Sequence, residues 1–265
     1  DLDRLVAGSY DLRYRLGDNC TYWRRQIFRM DLPWEYRGVV HEYPHCDSQS
    51  DAVRLDGAYH IEARRLGGAR NRDSEKYARD VTLLERAHAD DPEDARTVFY
   101  LAQSHYDHGN MSLAEHWYRV RAAMGGWEEE VFYASLRVGL AREAQGAAFP
   151  SVRSALLDAW ELRPTRAEPL CHLARLCRLE KKWHQAYLYA AQAVQIPYPE
   201  QDLLFVDDSV WQWRALDEQA IAAYWTGRYR ESGSCCQRLL DQGLLPQAEV
   251  KRVRSNLRFA AEKAG

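Results

Sequence analysis

Two things are missing from this sequence: a long apolar run and a strong excess of charge of one sign. No stretch is apolar for long enough to cross a bilayer, and the first residues lack the basic stretch and apolar core of a secretory signal. We therefore expect a cytoplasmic protein without a membrane span. The 36 basic and 39 acidic side chains leave a formal net charge of −3, so nothing favours nucleic acid as a partner.

Paired cysteine motifs are also missing. The six cysteines form no C-x-x-C pair and show no regular spacing; they are Cys20, Cys46, Cys171, Cys177, Cys235 and Cys236. This excludes a recognisable disulfide framework or zinc knuckle. We expect buried, reduced thiols, as is usual for a cytoplasmic protein.

The first part of the chain, residues 1–72, has a β-rich pattern. Residues 10–16 and 22–30 are rich in aromatic and branched side chains, and the turn residues 17–19 lie between them, which predicts a hairpin. Residues 36–43 predict a third strand, because prolines bound this run on both sides and proline belongs at strand ends.

The spacing of the hydrophobic residues along the chain changes near residue 73. Residues 67–72 form a polar, glycine-containing loop that ends at a helix cap on Asp73 or Ser74. From there to residue 265 the pattern is that of amphipathic helices. The predicted fold is mainly α: a right-handed, tetratricopeptide-like solenoid of antiparallel helix pairs over residues 73–265, preceded by the small β-rich segment.

A recurring pattern of small residues carries this prediction. Tetratricopeptide helices pack closely because small side chains sit at fixed offsets, with a glycine at the turn. The clearest unit contains Leu101, Ala102, Gly109, Ala114 and Tyr118. Capping helices are predicted at 77–87 and 249–261.

Three further units repeat the pattern with decreasing clarity. Their marker residues are Leu173, Ala174, Trp183, Ala186, Ala190 and Ala193 in one, Ala220, Gly227, Tyr229, Ser232 and Cys236 in another, and Gly146, Leu156 and Ala159 in a looser third. The Ala, Leu and Trp side chains among them are expected in the helix seams, where small residues bring neighbouring helices into contact.

The first helix of each pair lines the concave face of such a stack. The repeat offsets place six polar and aromatic residues there: Gln103, Tyr106, Asp107, Arg175, Arg178 and Tyr224. This mixed set can hold a peptide, a protein partner or a glycosyl acceptor by hydrogen bonds and stacking, although an ordinary solvated surface explains it equally simply. It lacks the Lys and Asn arrangement of clamps for a C-terminal carboxylate.

Several short segments of the sequence resemble a known family. Residues 22–29 and 34–42 resemble the end of the catalytic domain in bacterial family 2 glycosyltransferases that carry a helical-repeat tail. The phrases that resemble the tail lie at 99–104, 124–131, 163–169 and 204–206. The ordered series spans nearly the whole chain and is more specific than any one phrase.

The resemblance implies a catalytic part that this chain lacks. Members of the family carry a nucleotide-binding strand and a D-x-D metal motif upstream of the matched region, and an intact enzyme would use a divalent metal, Mn or Mg. Asp1-Leu2-Asp3 has the letters D-x-D, but no apolar strand precedes it to aim the carboxylates. We expect no cofactor in this chain and no sugar transfer by it alone.

His41 and Glu42 are the candidate catalytic residues. The resemblance implies that this pair lies at the active site. A histidine at a strand end can bind a metal through one ring nitrogen, and an adjacent carboxylate can bind a sugar hydroxyl. Strand alternation, however, would send the two side chains to opposite faces.

Trp23, Arg25 and Arg29 are the candidate donor- or acceptor-binding residues. They share one face of the second predicted strand, so the arginines can grip a diphosphate and the indole can stack on a sugar. Solvated edge-strand arginines and a packed tryptophan are the simpler explanation.

Two functions follow. The first is the scaffold and acceptor- or partner-binding portion of a glycosyltransferase-like protein, inactive as this chain alone, with residues 1–72 as a remnant of the catalytic domain. The alternative is a free-standing tetratricopeptide module for protein–protein interaction.

Overall fold

The computed structural model of the chain describes residues 5–16, 20–48, 52–63 and 75–265. They form two compact units. The first unit contains the described residues up to Gly146 together with Asp202–Val206, and the second contains 147–201 and 207–265.

Several sequence predictions lie outside the described residues. They are the D-x-D letters at 1–3, the hairpin turn at 17–19, the loop at 67–72, the helix cap at 73 or 74 and, with these, the predicted boundary between residues 72 and 73.

The described strands begin with the predicted hairpin. In chain order they are β1 (Ser9–Leu16), β2 (Cys20–Phe28), β3 (Glu35–Arg37), β4 (Tyr43–His45), β5 (Val53–Arg54), β6 (Ile61–Glu62) and β7 (Val206–Asp207). β1 and β2 are antiparallel, with Tyr14 opposite Tyr22 and a register shift between Tyr10 and Asp11. β5 and β6 both pair with β1 in parallel, so the larger sheet has the order β5-β1-β2-β7.

The predicted third strand at 36–43 is wrong. The chain turns back on itself inside this run, and its two arms, β3 and β4, pair antiparallel with Tyr36 opposite Pro44. Gly38 has φ of 103° and His41 has φ of 53°, and neither angle is compatible with an extended strand.

Burial of Val40 explains the turn. Its side chain is 7% exposed and packs with Leu84 and Leu101 from two helices. An extended strand would have kept this valine away from the helical core, whereas the turn removes an apolar side chain from water.

The helices follow the β-rich segment. They are α1 (Lys76–Asp90), α2 (Ala95–Asp107), α3 (Met111–Ala123), α4 (Glu128–Ala144), α5 (Phe149–Leu162), α6 (Glu168–Leu179), α7 (Trp183–Gln195), α8 (Ala215–Trp225), α9 (Tyr229–Gln242) and α10 (Gln247–Ala264). A π-helical turn at Val210–Arg214 leads into α8. The predicted capping helices at 77–87 and 249–261 lie within α1 and α10.

The small-residue pattern marks the helix seams as predicted. In the pair α2 and α3, the side chains of Leu101, Ala102, Ala114 and Tyr118 have no exposed surface. The corresponding residues of the pair α6 and α7, namely Leu173, Ala174, Ala186, Ala190 and Ala193, are equally buried. Alanine at these places lets the helix backbones approach closely, which larger side chains would prevent.

Gly109 closes the turn between α2 and α3. Its φ of +89° lies in the left-handed region, and an added Cβ would meet nothing within 4 Å. The requirement for glycine is therefore conformational and not steric. Gly233, inside α9, is the opposite case: it has helical backbone, and a Cβ would make ordinary contact with Ala260 at 3.8 Å.

These two glycines give a matched pair of tests. We expect Gly109→Ala to lower the free energy of unfolding by about 1 kcal/mol, because it forces an L-residue into a left-handed conformation. We expect Gly233→Ala to raise it by roughly 0.5–1 kcal/mol, because alanine restricts the unfolded chain and favours the helix. Urea unfolding followed by circular dichroism measures both, and equal effects of the two substitutions would contradict this account of the turn.

Five cysteines are buried free thiols: Cys46, Cys171, Cys177, Cys235 and Cys236. Burial raises the pKa of Cys171 and Cys236 to about 12 and that of Cys177 and Cys235 to about 11. Because the thiolate is the reactive form, these thiols are protected both by packing and by their protonation.

The native protein should therefore resist thiol reagents. In a Cys20→Ser background at pH 8, we expect Ellman's reagent to label less than one thiol per chain within minutes, and all five after denaturation. Rapid labelling of the native protein would show that the seams open readily.

Candidate partner-binding surface

The three predicted groove residues of the first unit lie on α2 and are tied together. Gln103 Nε2 donates a hydrogen bond to Asp107 Oδ1 at 3.1 Å, one helical turn away. Gln103 Oε1 accepts a hydrogen bond from the hydroxyl of Tyr118 on α3 at 2.8 Å. Burial raises the pKa of Tyr118, so its hydroxyl remains a donor at any ordinary pH. These side chains are held in one arrangement before any partner arrives.

A stripe of α4 provides the other side of this surface. Glu129, Tyr133 and Arg137 follow one another at intervals of four residues and therefore share a helix face. Glu129 is 7% exposed. Its Oε2 accepts hydrogen bonds from the backbone N–H groups of Leu203 at 2.6 Å and Leu204 at 2.8 Å.

The segment 202–206 thus lies across the stripe. Phe205 places its ring 5.1 Å from that of Tyr133 and 6.0 Å from that of Tyr22. On the β2 side, the Trp23 N–H donates to the carbonyl oxygen of Leu203 at 3.4 Å. A short piece of chain is therefore held by backbone hydrogen bonds and by aromatic contacts, as a bound peptide would be.

Arg137 forms the end of the stripe that lies beyond the contacts with segment 202–206. Its guanidinium carbon lies 3.5 Å from the ring centroid of Tyr106, 5.5 Å from that of Tyr133 and 5.8 Å from that of Tyr118. Its Nε donates to the Tyr118 hydroxyl at 3.3 Å. Tyr133 and Arg137 are not among the residues predicted from the sequence, although their spacing of four and eight residues from Glu129 is a signal that could have found them.

A buried ion pair positions the start of α4. Arg121 is 1% exposed and donates from Nε and Nη2 to Glu130 Oε2 at 2.9 and 2.7 Å, and from Nη1 to the carbonyl oxygen of Gly125 at 2.8 Å. Burial raises the pKa of Glu130, against the opposing effect of Arg121. The pair holds the glycine turn that precedes α4 and so fixes where Glu129 points.

His41 and Glu42 lie elsewhere in the first unit, and both are exposed. The expectation that they alternate along a strand was wrong, because His41 is in the turn between β3 and β4. The His41 ring stacks on that of Tyr100 at 4.2 Å, and its carbonyl oxygen accepts from Arg96 Nη2 at 2.9 Å. Within the described ranges no group of three or more His, Cys, Asp and Glu side chains could hold a metal. Catalysis and metal binding by this pair remain predictions.

Trp23, Arg25 and Arg29 each contact a different neighbour. The Trp23 ring lies between the guanidinium groups of Arg13 and Arg54, each 5.1 Å from its centroid. The Nε of Arg25 is 3.7 Å from a carboxylate oxygen of Asp11. Arg29, beyond the end of β2, is 2.7 Å from Asp31. Two carboxylates thus lie where a diphosphate was expected, and donor binding by these residues remains a prediction.

In the second unit, Arg178 has a structural partner. On α6 it donates to both carboxylate oxygens of Glu218 on α8, at 2.7 and 3.0 Å, and Glu218 is 7% exposed. The adjacent Asp217 pairs in the same way with Arg252 on α10, at 2.9 and 3.1 Å. Two consecutive acidic residues of α8 therefore connect it to two other helices.

The remaining predicted residues of the second unit are Arg175 and Tyr224, both partly buried. Tyr224 packs edge-on against Trp225 and Tyr229. A separate groove of about 300 Å³ follows α10 and is lined by Gln247, Val250, Lys251, Arg254, Ser255 and Arg258. Its lining is basic, so an anionic group would suit it better than a cationic one.

The Arg178–Glu218 pair can be tested by removing one partner or both. We expect Arg178→Met to lower the free energy of unfolding by about 3 kcal/mol, because it leaves the Glu218 carboxylate buried without its cation. The double variant Arg178→Met, Glu218→Met should recover most of this loss, since no buried charge is left unpaired. Denaturant unfolding of four proteins, namely the native chain, Arg178→Met, Glu218→Met and the double variant, gives the coupling energy. Additive losses would mean that the two side chains do not act as a pair.

Comparison with known proteins places the fold. No protein family model matches the sequence, and no curated protein is significantly similar to it. Among solved structures, BtubC (BKLC) from P. vanneervenii is similar with a TM-score of 0.54 and 15% identity, over 75% of this chain and 85% of that chain. MamA is similar with a TM-score of 0.51 and 15% identity, over 67% and 95% of the two chains.

The chain therefore has a tetratricopeptide-like fold of helical repeats, as the sequence pattern predicts, preceded by a small β segment. Identities this low show the fold alone. Nothing in the comparisons supports an origin from a family 2 glycosyltransferase. No helix of the described residues is both long and apolar enough to span a bilayer.

Proposed function

We propose that this chain is a protein-interaction module that binds an extended segment of a partner protein. The observation that carries the proposal is the way in which the first unit holds Leu203–Phe205: Glu129 accepts two backbone N–H groups, and Tyr22 and Tyr133 contact one aromatic side chain. Backbone hydrogen bonds of this kind bind extended chain, and pockets for side chains provide selectivity.

The neighbouring surface extends this binding mode. Gln103 and Asp107 on α2 are held by hydrogen bonds within the unit, and the ring of Tyr106 is held by its contact with the Arg137 guanidinium. Side chains held in advance lose little conformational entropy when a partner binds. A tyrosine with one exposed edge is also the kind of residue that dominates protein interfaces.

Peptide selection tests this function. From a random library of 12-residue peptides, we expect the chain to enrich sequences that bind with a dissociation constant on the order of micromolar. Tyr106→Ala should weaken these peptides about tenfold or more, as is usual for a central interface tyrosine. Arg119→Ala, at an exposed position of α3, is the matched control and should change nothing. Fluorescence anisotropy measures each affinity.

Failure to enrich any peptide, or binding that Tyr106→Ala and Arg119→Ala affect equally, would count against an interaction surface on α2. The glycosyltransferase resemblance has its own test, namely calorimetry with nucleotide sugars and manganese. Under the interaction proposal this titration gives no heat of binding, and micromolar donor binding would favour the scaffold reading instead. Cytoplasmic location likewise remains a prediction.

A further inference from the structure

Among the described residues of the first unit, no carboxylate pairs with Arg137. Its Nε donates to the Tyr118 hydroxyl, but no described residue accepts from its two terminal nitrogens. Neither nitrogen is among the buried side-chain atoms that lack a partner, so neither is completely buried. Two other arginines of this unit are paired with carboxylates: Arg121 with Glu130, and Arg142 with Glu115 at 2.8 Å.

The side chains around Arg137 hold the plane of its guanidinium group in place. Tyr106 covers one face of the guanidinium at 3.5 Å, and Tyr133 and Tyr118 lie within 6 Å. Burial opposes the charge, but the three tyrosines raise the pKa of Arg137 above its usual value, so the cation is permanent. A guanidinium that is fixed by stacking keeps its outer fork of donors directed at one place.

Arg137 lies on the same stripe of α4 that holds the extended segment 202–206. Along the α4 stripe, Glu129 holds the backbone of Leu203 and Leu204, and Tyr133 contacts Phe205. Arg137 comes one helical turn further on, where the chain's own segment has no residue bonded to it. The stripe thus continues beyond its internal occupant and presents an unsatisfied cation there.

We propose that Arg137 is the anchor for the carboxylate of an Asp or Glu side chain in the partner segment, with Tyr106 as the wall of the site. This assignment rests on the interaction function proposed above. A planar guanidinium matches a carboxylate through two parallel hydrogen bonds, and such pairs are short and directional.

The surroundings favour a side-chain carboxylate over a main-chain terminus. Capture of a C-terminal carboxylate uses several donors at once, commonly a nest of backbone N–H groups. The amide of Gln103 on α2 already donates to Asp107 and accepts from Tyr118. One arginine fork remains, which suits one side-chain carboxylate.

The direct test uses the native chain and small probes. The Nε–Hε resonance of Arg137, assigned by its loss in Arg137→Lys, is followed during titration with N-acetyl-glutamate methylamide at low ionic strength. We expect a saturable shift that N-acetyl-glutamine methylamide does not produce and that the Arg119 resonance does not show. A shift no larger than that of Arg119 would overturn the proposal. N-acetyl-glycine presents a main-chain carboxylate. A stronger response to it than to the glutamate probe would overturn the assignment of the ligand as an Asp or Glu side chain.

The second test uses the peptides selected by the chain. Replacing their acidic residues one at a time with the matching amide should identify one whose change weakens binding about tenfold, the usual worth of a charge-assisted pair. In Arg137→Gln that replacement should have no further effect. If peptides bind but no acidic residue couples to Arg137, the anchor is refuted while the interaction function stands. If no peptide binds, the interaction function fails, and the probe titration alone decides whether Arg137 takes a carboxylate.

Discussion

The close approach of helices through alanine seams is the constraint on which the rest of this structure depends. Ala102 and Ala114 have no exposed surface, and neither has Tyr118 beside them. Beside this seam of α2 and α3, Tyr106 of α2 contacts the guanidinium of Arg137 on α4 at 3.5 Å. A bulkier seam would separate the helices and would leave the polar face without its internal hydrogen bonds.

Buried charge is the second organising element, and it is arranged in pairs. Arg121 with Glu130 is a buried ion pair, and Arg178 with the buried Glu218 is a partly buried one; each connects two different helices. Arg166 and Glu168 form another at the start of α6, with almost no exposed surface. Such pairs add little net stability compared with apolar residues, but each is costly to break, so they fix which elements meet.

The β-rich segment shows how tertiary contacts override a local pattern. Residues 36–43 have the composition of a strand, yet Gly38 and His41 adopt left-handed angles and the run becomes a hairpin. The reason is long-range, since Val40 is buried against Leu84 and Leu101. With this turn the strand geometry assumed for His41 and Glu42 is lost, and His41 stacks on Tyr100 of α2 instead. The hairpin of β1 and β2 needed no such contact and follows its local pattern.

The sequence by itself determined the helix-pair architecture. Its signals are the 3.6-residue period, Gly109 at the turn and the alanines of the seams. All of them act within one helix pair, where local spacing decides which side chains meet. The tertiary structure decided the surface. Glu129 meets the N–H groups of Leu203 and Leu204 across more than 70 residues of chain, and Arg178, predicted to face a partner, is taken up by Glu218 forty residues away. Contacts at such separations depend on how complete elements pack, and a polar side chain carries no local sign of whether its partner will come from its own chain or from another.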